Sequence, residues 1–129
     1  MGGLDIRAVG ARHTRETEPL AVRLSFSGVS VAYTGNGELT EELAELVRDA
    51  DLLIAECYFF DRPVRWHLNY SDIARLAAKR VVLTHMHDNM LARVAEVEET
   101  CASDGLVIRL QAPAAATDSQ AARAHDRSS

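Results

Sequence analysis

A short β-branched, apolar run ends in a cluster of polar side chains at residues 81–88, VVLTHMHD. Buried strands that present ligands or catalytic groups at their carboxyl edge end in this way. An imidazole there can bind a divalent metal through one ring nitrogen while a neighbouring acceptor holds the other. His85 is therefore a candidate metal ligand, and the alternative is a strand-end histidine that only bonds to backbone.

Two other apolar runs end in the same manner. Residues 29–33, VSVAY, lead into TGNG at 34–37, and residues 52–55, LLIA, lead into Glu56. Parallel strands bring their carboxyl ends to one edge of a sheet. The pattern therefore predicts a site at which Asn36, Glu56 and His85 lie along that edge. For Glu56 a supporting carboxylate and a mere strand-terminal charge are both open.

His67 lies in an aromatic-rich stretch, residues 57–70, that has no helical or strand period and contains Pro63. It could act as a general acid or stabilise charge on a reacting oxygen. The structural alternative is a partly buried ring packed on Trp66. Cys57 is not expected to be a nucleophile, because nothing in the sequence identifies a base for it.

The elements that must position these residues follow from periodicity and turn chemistry. Ser27-Gly28 between two apolar runs predicts a β-hairpin. Leucines at helical spacing predict a helix over Glu38 to Asp49 with Thr40 as its N-cap. The further predictions are a buried strand at Asp51–Glu56, a helix from Ser71 or Asp72 to Ala78, a strand at Val81–Thr84, a helix capped by Asp88 with Met90, Val94, Val97 and Cys101 on one face, and a strand at Leu106–Leu110.

This element order predicts an α/β fold in which helices pack on a mixed sheet. The expected organisation is an N-terminal segment at 1–20 that is partly irregular, a folded unit at 21–110 and a disordered tail at 111–129. A doubly wound, Rossmann-like domain is the least favoured alternative, because no glycine fingerprint follows the first strand.

Composition narrows the function classes. The 129 residues suffice for one domain, and the net charge of −5 without a Lys/Arg block makes nucleic-acid binding by this chain unlikely. Two isolated cysteines predict reduced thiols. No segment has the features of a signal peptide or the length of a membrane span, which predicts a cytoplasmic protein.

Four segments together resemble a known family: YTGNG at 33–37, ADLLIAE at 50–56, His67, and VLTH at 82–85. They are similar in type and order to motifs in the C-terminal half of metallo-β-lactamase-fold hydrolases, in the ribonuclease Z-like and phosphodiesterase-like branch. The resemblance spans about residues 22–110. It implies half of an αββα sandwich and a divalent metal site, usually zinc, at the sheet edge.

The resemblance also implies roles for individual residues. His85 would be a metal ligand, Asn36 would stand at the position of a bridging aspartate, and His67 would assist the leaving oxygen. Glu56 and Thr84 would support these groups without binding the metal or the substrate themselves. The implied reaction is hydrolysis of a small ester or phosphodiester.

Two departures from the family pattern qualify that implication. The His-x-His-x-Asp-His ligand motif of the N-terminal half has no match here, and His13 is the sole histidine before the hairpin. Asn36 offers a neutral amide where two cations would need an anion between them, which favours one metal or none in this chain alone. The chain is therefore expected to be inactive alone and to need an N-terminal half or a homodimer partner. The alternative is a non-catalytic, degenerate or dimerising scaffold or interaction module.

Overall fold

The computed structural model describes residues 3–11 and 19–112, so His13 and the predicted tail from residue 113 lie outside the described residues. Within them, six strands form one sheet: β1 (Asp5–Gly10), β2 (Leu20–Phe26), β3 (Val29–Tyr33), β4 (Leu52–Glu56), β5 (Val81–Thr84) and β6 (Thr100–Cys101). The helical elements are α1 (Glu41–Val47), α2 (Tyr70–Ile73), α3 (Asp88–Leu91) and a 3₁₀ turn at Val94–Glu96. Among these described helices, none has the length and apolar character needed to cross a membrane.

The order of strands across the sheet is the order along the chain. β1, β2 and β3 pair antiparallel, whereas β3, β4, β5 and β6 pair parallel. The predicted mixed sheet with helices packed on it is therefore confirmed. Its parallel part brings the carboxyl ends of β3, β4 and β5 to one edge, where the candidate site was expected.

The predicted hairpin is confirmed by β2 and β3. Ser27 and Gly28 have φ values of 51° and 80°, the positive angles that a two-residue turn needs to match strand twist. Thr40 caps α1 as predicted, since its hydroxyl accepts a hydrogen bond from the Leu43 N–H at 3.1 Å.

Several predicted boundaries are wrong. α1 covers Glu41–Val47 rather than Glu38 to Asp49, because Thr40 is extended at φ −134° and Asp49 has a left-handed φ of 58°. α2 begins after Asn69, whose backbone N–H donates to the Asp72 carboxylate, so Asn69 and not Ser71 or Asp72 is the cap. α2 ends at Ile73, well before Ala78.

The last third of the chain differs most from the prediction. His87, not Asp88, caps α3, and its ring nitrogen accepts from the Asn89 N–H. The helix ends at Leu91, so the predicted face from Met90 to Cys101 does not form. The last strand is Thr100–Cys101 rather than Leu106–Leu110, and it pairs with β5. β1 lies within the predicted irregular segment and was not predicted from the sequence.

The helices share one hydrophobic core on one face of the sheet. The strand pairing and the alternation of side chains place five strand residues on this face. All five are fully buried: Ala21, Ala32, Leu53, Ala55 and Leu83. Each helix adds apolar side chains to the same cluster: Leu43, Leu46 and Val47 from α1, Ile73 from α2 and Met90 from α3.

The opposite face of β1–β3 is apolar and exposed. The register places Ile6 beside Leu24, and Val22 beside Tyr33, on this face. The large side chains there are between 37% and 59% exposed: Ile6, Leu20, Leu24, Phe26 and Tyr33. Every position of these three strands that points to this face is uncharged. We call it the open face.

Asp51 joins the starts of β3 and β4. Its carboxylate accepts hydrogen bonds from the Ser30 N–H at 2.8 Å and the Ser30 hydroxyl at 3.2 Å. The Ser30 N–H lowers the pKa of Asp51 below its ordinary value. Partial burial acts in the opposite direction, and the nearby Lys79 ammonium lowers the pKa further. The ionised carboxylate thus stabilises the fold.

We expect acid to remove this contribution. Because the pKa of Asp51 is lower in the folded chain, its stabilisation is present above the unfolded pKa of about 3.9 and is lost as the pH falls through the folded value. Asp51→Asn should lower the free energy of unfolding by about 1 kcal/mol at pH 7. The measurement is urea unfolding between pH 7 and pH 3, in which the variant should show the weaker pH dependence. Asp49→Asn, an exposed neighbour, is the control and should follow the wild type.

Candidate metal centre

The carboxyl ends of three neighbouring strands carry the residues that the sequence singled out. The loop 34–37 follows β3, Glu56 ends β4, and His85 follows β5 directly. Glu56 and Thr84 are paired in register across β4 and β5. The structure therefore places Asn36, Glu56 and His85 at the same sheet edge, as predicted.

Glu56 is a fully buried carboxylate held by neighbouring groups. Its Oε2 accepts from the Gly37 N–H at 3.2 Å, while its Oε1 contacts His67 Nδ1. Its own backbone N–H donates to the Thr34 hydroxyl at 3.0 Å. The loop after β3 and the stretch carrying His67 thus meet at this one side chain.

Burial raises the pKa of Glu56 to about 8, although the N–H groups of Gly37 and Leu68 act in the opposite direction. When Nδ1–H of His67 donates to the Glu56 carboxylate, the ring is fixed in one orientation. Nε2 of His67 is then the ring nitrogen that can act outside the pair.

The backbone leading to His67 is strained. Trp66 has φ 73°, a left-handed conformation that bulky side chains rarely adopt. Such a conformation costs of the order of 1–3 kcal/mol and persists only where the surroundings impose it. Here the Trp66 N–H donates to Glu38 Oε1 at 2.9 Å, and the Arg65 guanidinium lies 4.3 Å from the indole ring centre.

Tyr58 packs beside both histidines of the site, and the sequence did not single it out. Its ring stacks on His67 with centroids 4.1 Å apart, and it lies 5.5 Å from the His85 ring. The one sequence signal was its position two residues after Glu56 in an aromatic-rich stretch. Packing against Tyr58 restricts both imidazoles, whose centroids are 5.7 Å apart.

Three side chains converge as a possible ligand set. Glu56, His67 and His85 each offer one ligand atom, and these atoms all lie within 4.8 Å of one another. His85 is exposed and has a left-handed φ of 52°, which turns the chain sharply after β5. Two imidazoles and a carboxylate are the donors found in catalytic zinc sites. The residues present therefore fit a divalent metal by their chemistry.

Other expected residues have clear positions but no tested role. Asn36 is half-buried in the loop after β3, next to Gly37, which holds Glu56. The Thr84 carbonyl accepts from the Cys57 N–H at 2.9 Å and so ties the end of β5 to the residue after Glu56. Asn36 as a metal position and Thr84 as a supporting residue both stay predictions.

The cysteines agree with the sequence analysis. Both Cys57 and Cys101 are free thiols. Burial raises the pKa of Cys57 to about 12, so its reactive thiolate is nearly absent at neutral pH. Cys57 therefore packs in the core and is unsuited to nucleophilic attack.

A cavity of about 550 Å³ adjoins His67 between α1 and the stretch 63–75. Its volume lies within the range of small-molecule sites, about 300–1,000 Å³. The lining is mixed in charge, with Glu38 and Glu41 on one side and Arg65 and Arg75 on the other.

The fold of this chain is found in solved structures of metallo-β-lactamase-fold proteins. Against the crystal structure of one such protein, YhfI from Bacillus subtilis, the TM-score is 0.68 at 24% identity, covering 84% of this chain and 50% of that one. Human tRNase Z, short form (ELAC1), gives a TM-score of 0.64 at 24% identity, covering 86% of this chain and 43% of that one. The chain thus shares the fold of about half of a metallo-β-lactamase-fold protein, as the resemblance of its motifs implied.

Further comparisons extend this result. Zn²⁺-bound PqqB from Methylobacterium extorquens gives a TM-score of 0.59 at 17% identity, covering 83% of this chain and 50% of that one. In sequence, the chain is 32% identical over 82 residues to the probable metallo-hydrolase YhfI of Bacillus subtilis (strain 168), which is 54% of this chain and 34% of that protein. No protein-family model matches the chain. The chain spans half or less of the length of each of these proteins.

The loop that holds Glu56 depends on Gly35. Gly35 has φ 64°, and a Cβ built on it would lie 2.4 Å from the Leu20 carbonyl oxygen. We expect Gly35→Ala to lower the free energy of unfolding by about 2 kcal/mol or more, since it adds a backbone clash to the conformational cost. Urea unfolding measures this change.

Substitutions at two other glycines distinguish the backbone clash from the cost of the left-handed conformation. Gly105 has φ 84°, but a Cβ added there would meet nothing within 4 Å, and Gly10 has open space without a positive φ. The loss of stability should therefore be largest for Gly35→Ala, smaller for Gly105→Ala and near zero for Gly10→Ala. Equal losses at Gly35 and Gly105 would show that the close approach to Leu20 is unimportant.

Proposed function

We propose that this chain supplies half of the active site of a metal-dependent hydrolase that cleaves phosphodiester or ester bonds. The observation that carries the proposal is the convergence of Glu56, His67 and His85 within 4.8 Å, at the edge of a sheet with the metallo-β-lactamase fold. Similarity to a probable metallo-hydrolase supports the same reaction class. The cavity beside His67 offers room for the part of the substrate that does not react.

In this proposal, His67 handles the proton of the leaving group. Glu56 orients the ring through Nδ1, and Nε2 then donates a proton to the departing oxygen. The buried carboxylate also stabilises the charged imidazole before that transfer. His85 would hold a divalent metal, with zinc favoured by the imidazole donors. Such an ion, when bound, acts as a Lewis acid on the reacting group.

The ligand set is incomplete within the described residues. Both oxygens of Glu56 are already engaged, one with Gly37 and the other with His67. If Glu56 orients His67, His85 is the main metal-binding side chain left in the group. We therefore propose that further ligands come from outside these residues, which agrees with the chain spanning half or less of its relatives.

The open face supports the same proposal. Along β4, side chains alternate between the two faces, so Glu56 points to the side of Ile54, and Ile54 pairs with Tyr33 of the open face. The site therefore lies at the end of the exposed apolar surface. A second β-sheet that packed there would cover these side chains and would also extend to the metal centre. We propose an N-terminal half of the same fold as the occupant.

A non-catalytic module that dimerises through the open face is the second candidate. The exposed apolar side chains on β1–β3 favour it, because contiguous apolar surface of this kind is typical of protein–protein interfaces. Sedimentation distinguishes the two: a stable homodimer without zinc would support the module, whereas a zinc-binding chain that associates with an N-terminal half would support the hydrolase. The cytoplasmic location expected from the sequence stays a prediction.

His85→Ala tests the metal centre. Substitution of a residue that only hydrogen-bonds to a metal ligand typically lowers metal affinity by roughly 10–100-fold. We expect His85→Ala to lower zinc affinity by more than this, as measured by competition with a chromogenic chelator. When the chain is combined with an N-terminal half, hydrolysis of bis(p-nitrophenyl) phosphate should be lost as well. His87→Ala is the matched control, since His87 is exposed and outside the ligand group. Unchanged zinc binding and turnover in His85→Ala would refute the proposal.

Asn36→Asp tests the charge balance of the site. Adding a carboxylate at the end of β3 should raise divalent-metal affinity by about tenfold or more, because ligand charge strongly tunes such sites. Isothermal titration with zinc measures both affinity and stoichiometry. Gln111→Glu adds the same charge at an exposed position far along the chain and should have no effect. A tighter site in that control would indicate a general charge effect.

A further inference from the structure

The segment between β3 and α1 contacts Glu56 and also Trp66, the residue directly before His67. The Gly37 N–H donates to Glu56 Oε2 at 3.2 Å. The next residue, Glu38, accepts from the Trp66 N–H at 2.9 Å, and Trp66 directly precedes His67. Two consecutive residues thus fix the carboxylate and the backbone that presents the imidazole.

The hydrogen bond to Glu38 lies where the chain most needs a constraint. Trp66 has a left-handed φ of 73°, and its bulky side chain makes that conformation unfavourable without support. Hydrogen bonds to an ionised acceptor are roughly twice as strong as neutral ones. The Glu38 carboxylate is therefore well suited to hold this turn.

The segment that carries Glu38 is itself anchored. Gly35 lies so close to β2 that a Cβ would come within 2.4 Å of the Leu20 carbonyl oxygen. Thr40 then starts α1, whose apolar residues are in the core. Glu38 is thus fixed on both sides along the chain and can constrain Trp66.

We propose that Glu38 is a positioning residue for His67: it holds the left-handed turn at Trp66 and thereby keeps the imidazole against Glu56. Glu38 does not belong to the group of converging ligand atoms and acts through the backbone of Trp66. The effect of Glu38 on catalysis rests on the proposed function. Its effect on the orientation of the His67 ring in the metal-free chain is independent of that function.

Glu38→Ala is the decisive variant, with Glu38→Gln and Glu42→Ala beside it. Gln retains an oxygen that can accept from the Trp66 N–H, and Glu42 is exposed on α1. The first readout is the NMR signal of the His67 Cε1–H in the metal-free chain. The second is hydrolysis of bis(p-nitrophenyl) phosphate by the chain combined with an N-terminal half, and thermal unfolding monitors the fold.

In Glu38→Ala we expect the His67 signal to shift and broaden and hydrolysis to slow about 10–100-fold, because His67 no longer presents Nε2 to the leaving oxygen in a fixed orientation. Glu42→Ala should keep the wild-type signal and rate. Glu38→Gln should stay close to the wild type, because its amide oxygen still accepts from the Trp66 N–H, although more weakly than a carboxylate. An unchanged His67 signal in a folded Glu38→Ala chain would overturn the proposal, and so would equal losses in Glu42→Ala. If the wild type binds no zinc, the metal centre fails while the His67 signal still decides the role of Glu38.

Discussion

The burial of the Glu56 carboxylate is the constraint on which the site depends. A charged or protonated carboxyl inside a protein needs hydrogen-bond partners, because water no longer solvates it. Here those partners come from two separate parts of the chain: the Gly37 N–H in the loop after β3, and the Leu68 N–H and His67 imidazole in the stretch after β4. Satisfying one side chain therefore brings together elements that are far apart in sequence.

The same requirement explains where the backbone is strained. His67 contacts Glu56 directly after a left-handed residue at Trp66, and His85, which follows β5, is itself left-handed. Both lie in the candidate metal centre, where strained backbone is most often found in proteins. Tyr58 packs against both rings and limits their movement. The site is thus set by backbone geometry as much as by its polar groups.

Local patterns predicted the parts of the fold that depend on local chemistry. Ser27-Gly28 specified the hairpin, Thr40 specified the start of α1, and apolar runs specified β4 and β5. β1 was missed although apolar and charged residues alternate at its start, from Leu4 to Ala8, because the strand is mostly exposed and forms by pairing with β2. β6 was missed because its two residues form a strand only by pairing with β5. The positions of Asn36, Glu56 and His85 were predictable from strand ends, but the stacking of Tyr58 was not.

The sequential order of the strands has a consequence for how the chain folds. Each strand pairs only with the strand before it or after it along the chain, so no pairing skips an intervening strand. The parallel pairs still have to close the crossovers that contain α1 and α2, and such pairings form slowly. During synthesis on a ribosome, the sheet could nonetheless assemble in strand order as the chain emerges. The apolar surface of β1–β3 would then be presented as a ready template, and a covering sheet could dock on structure that already exists.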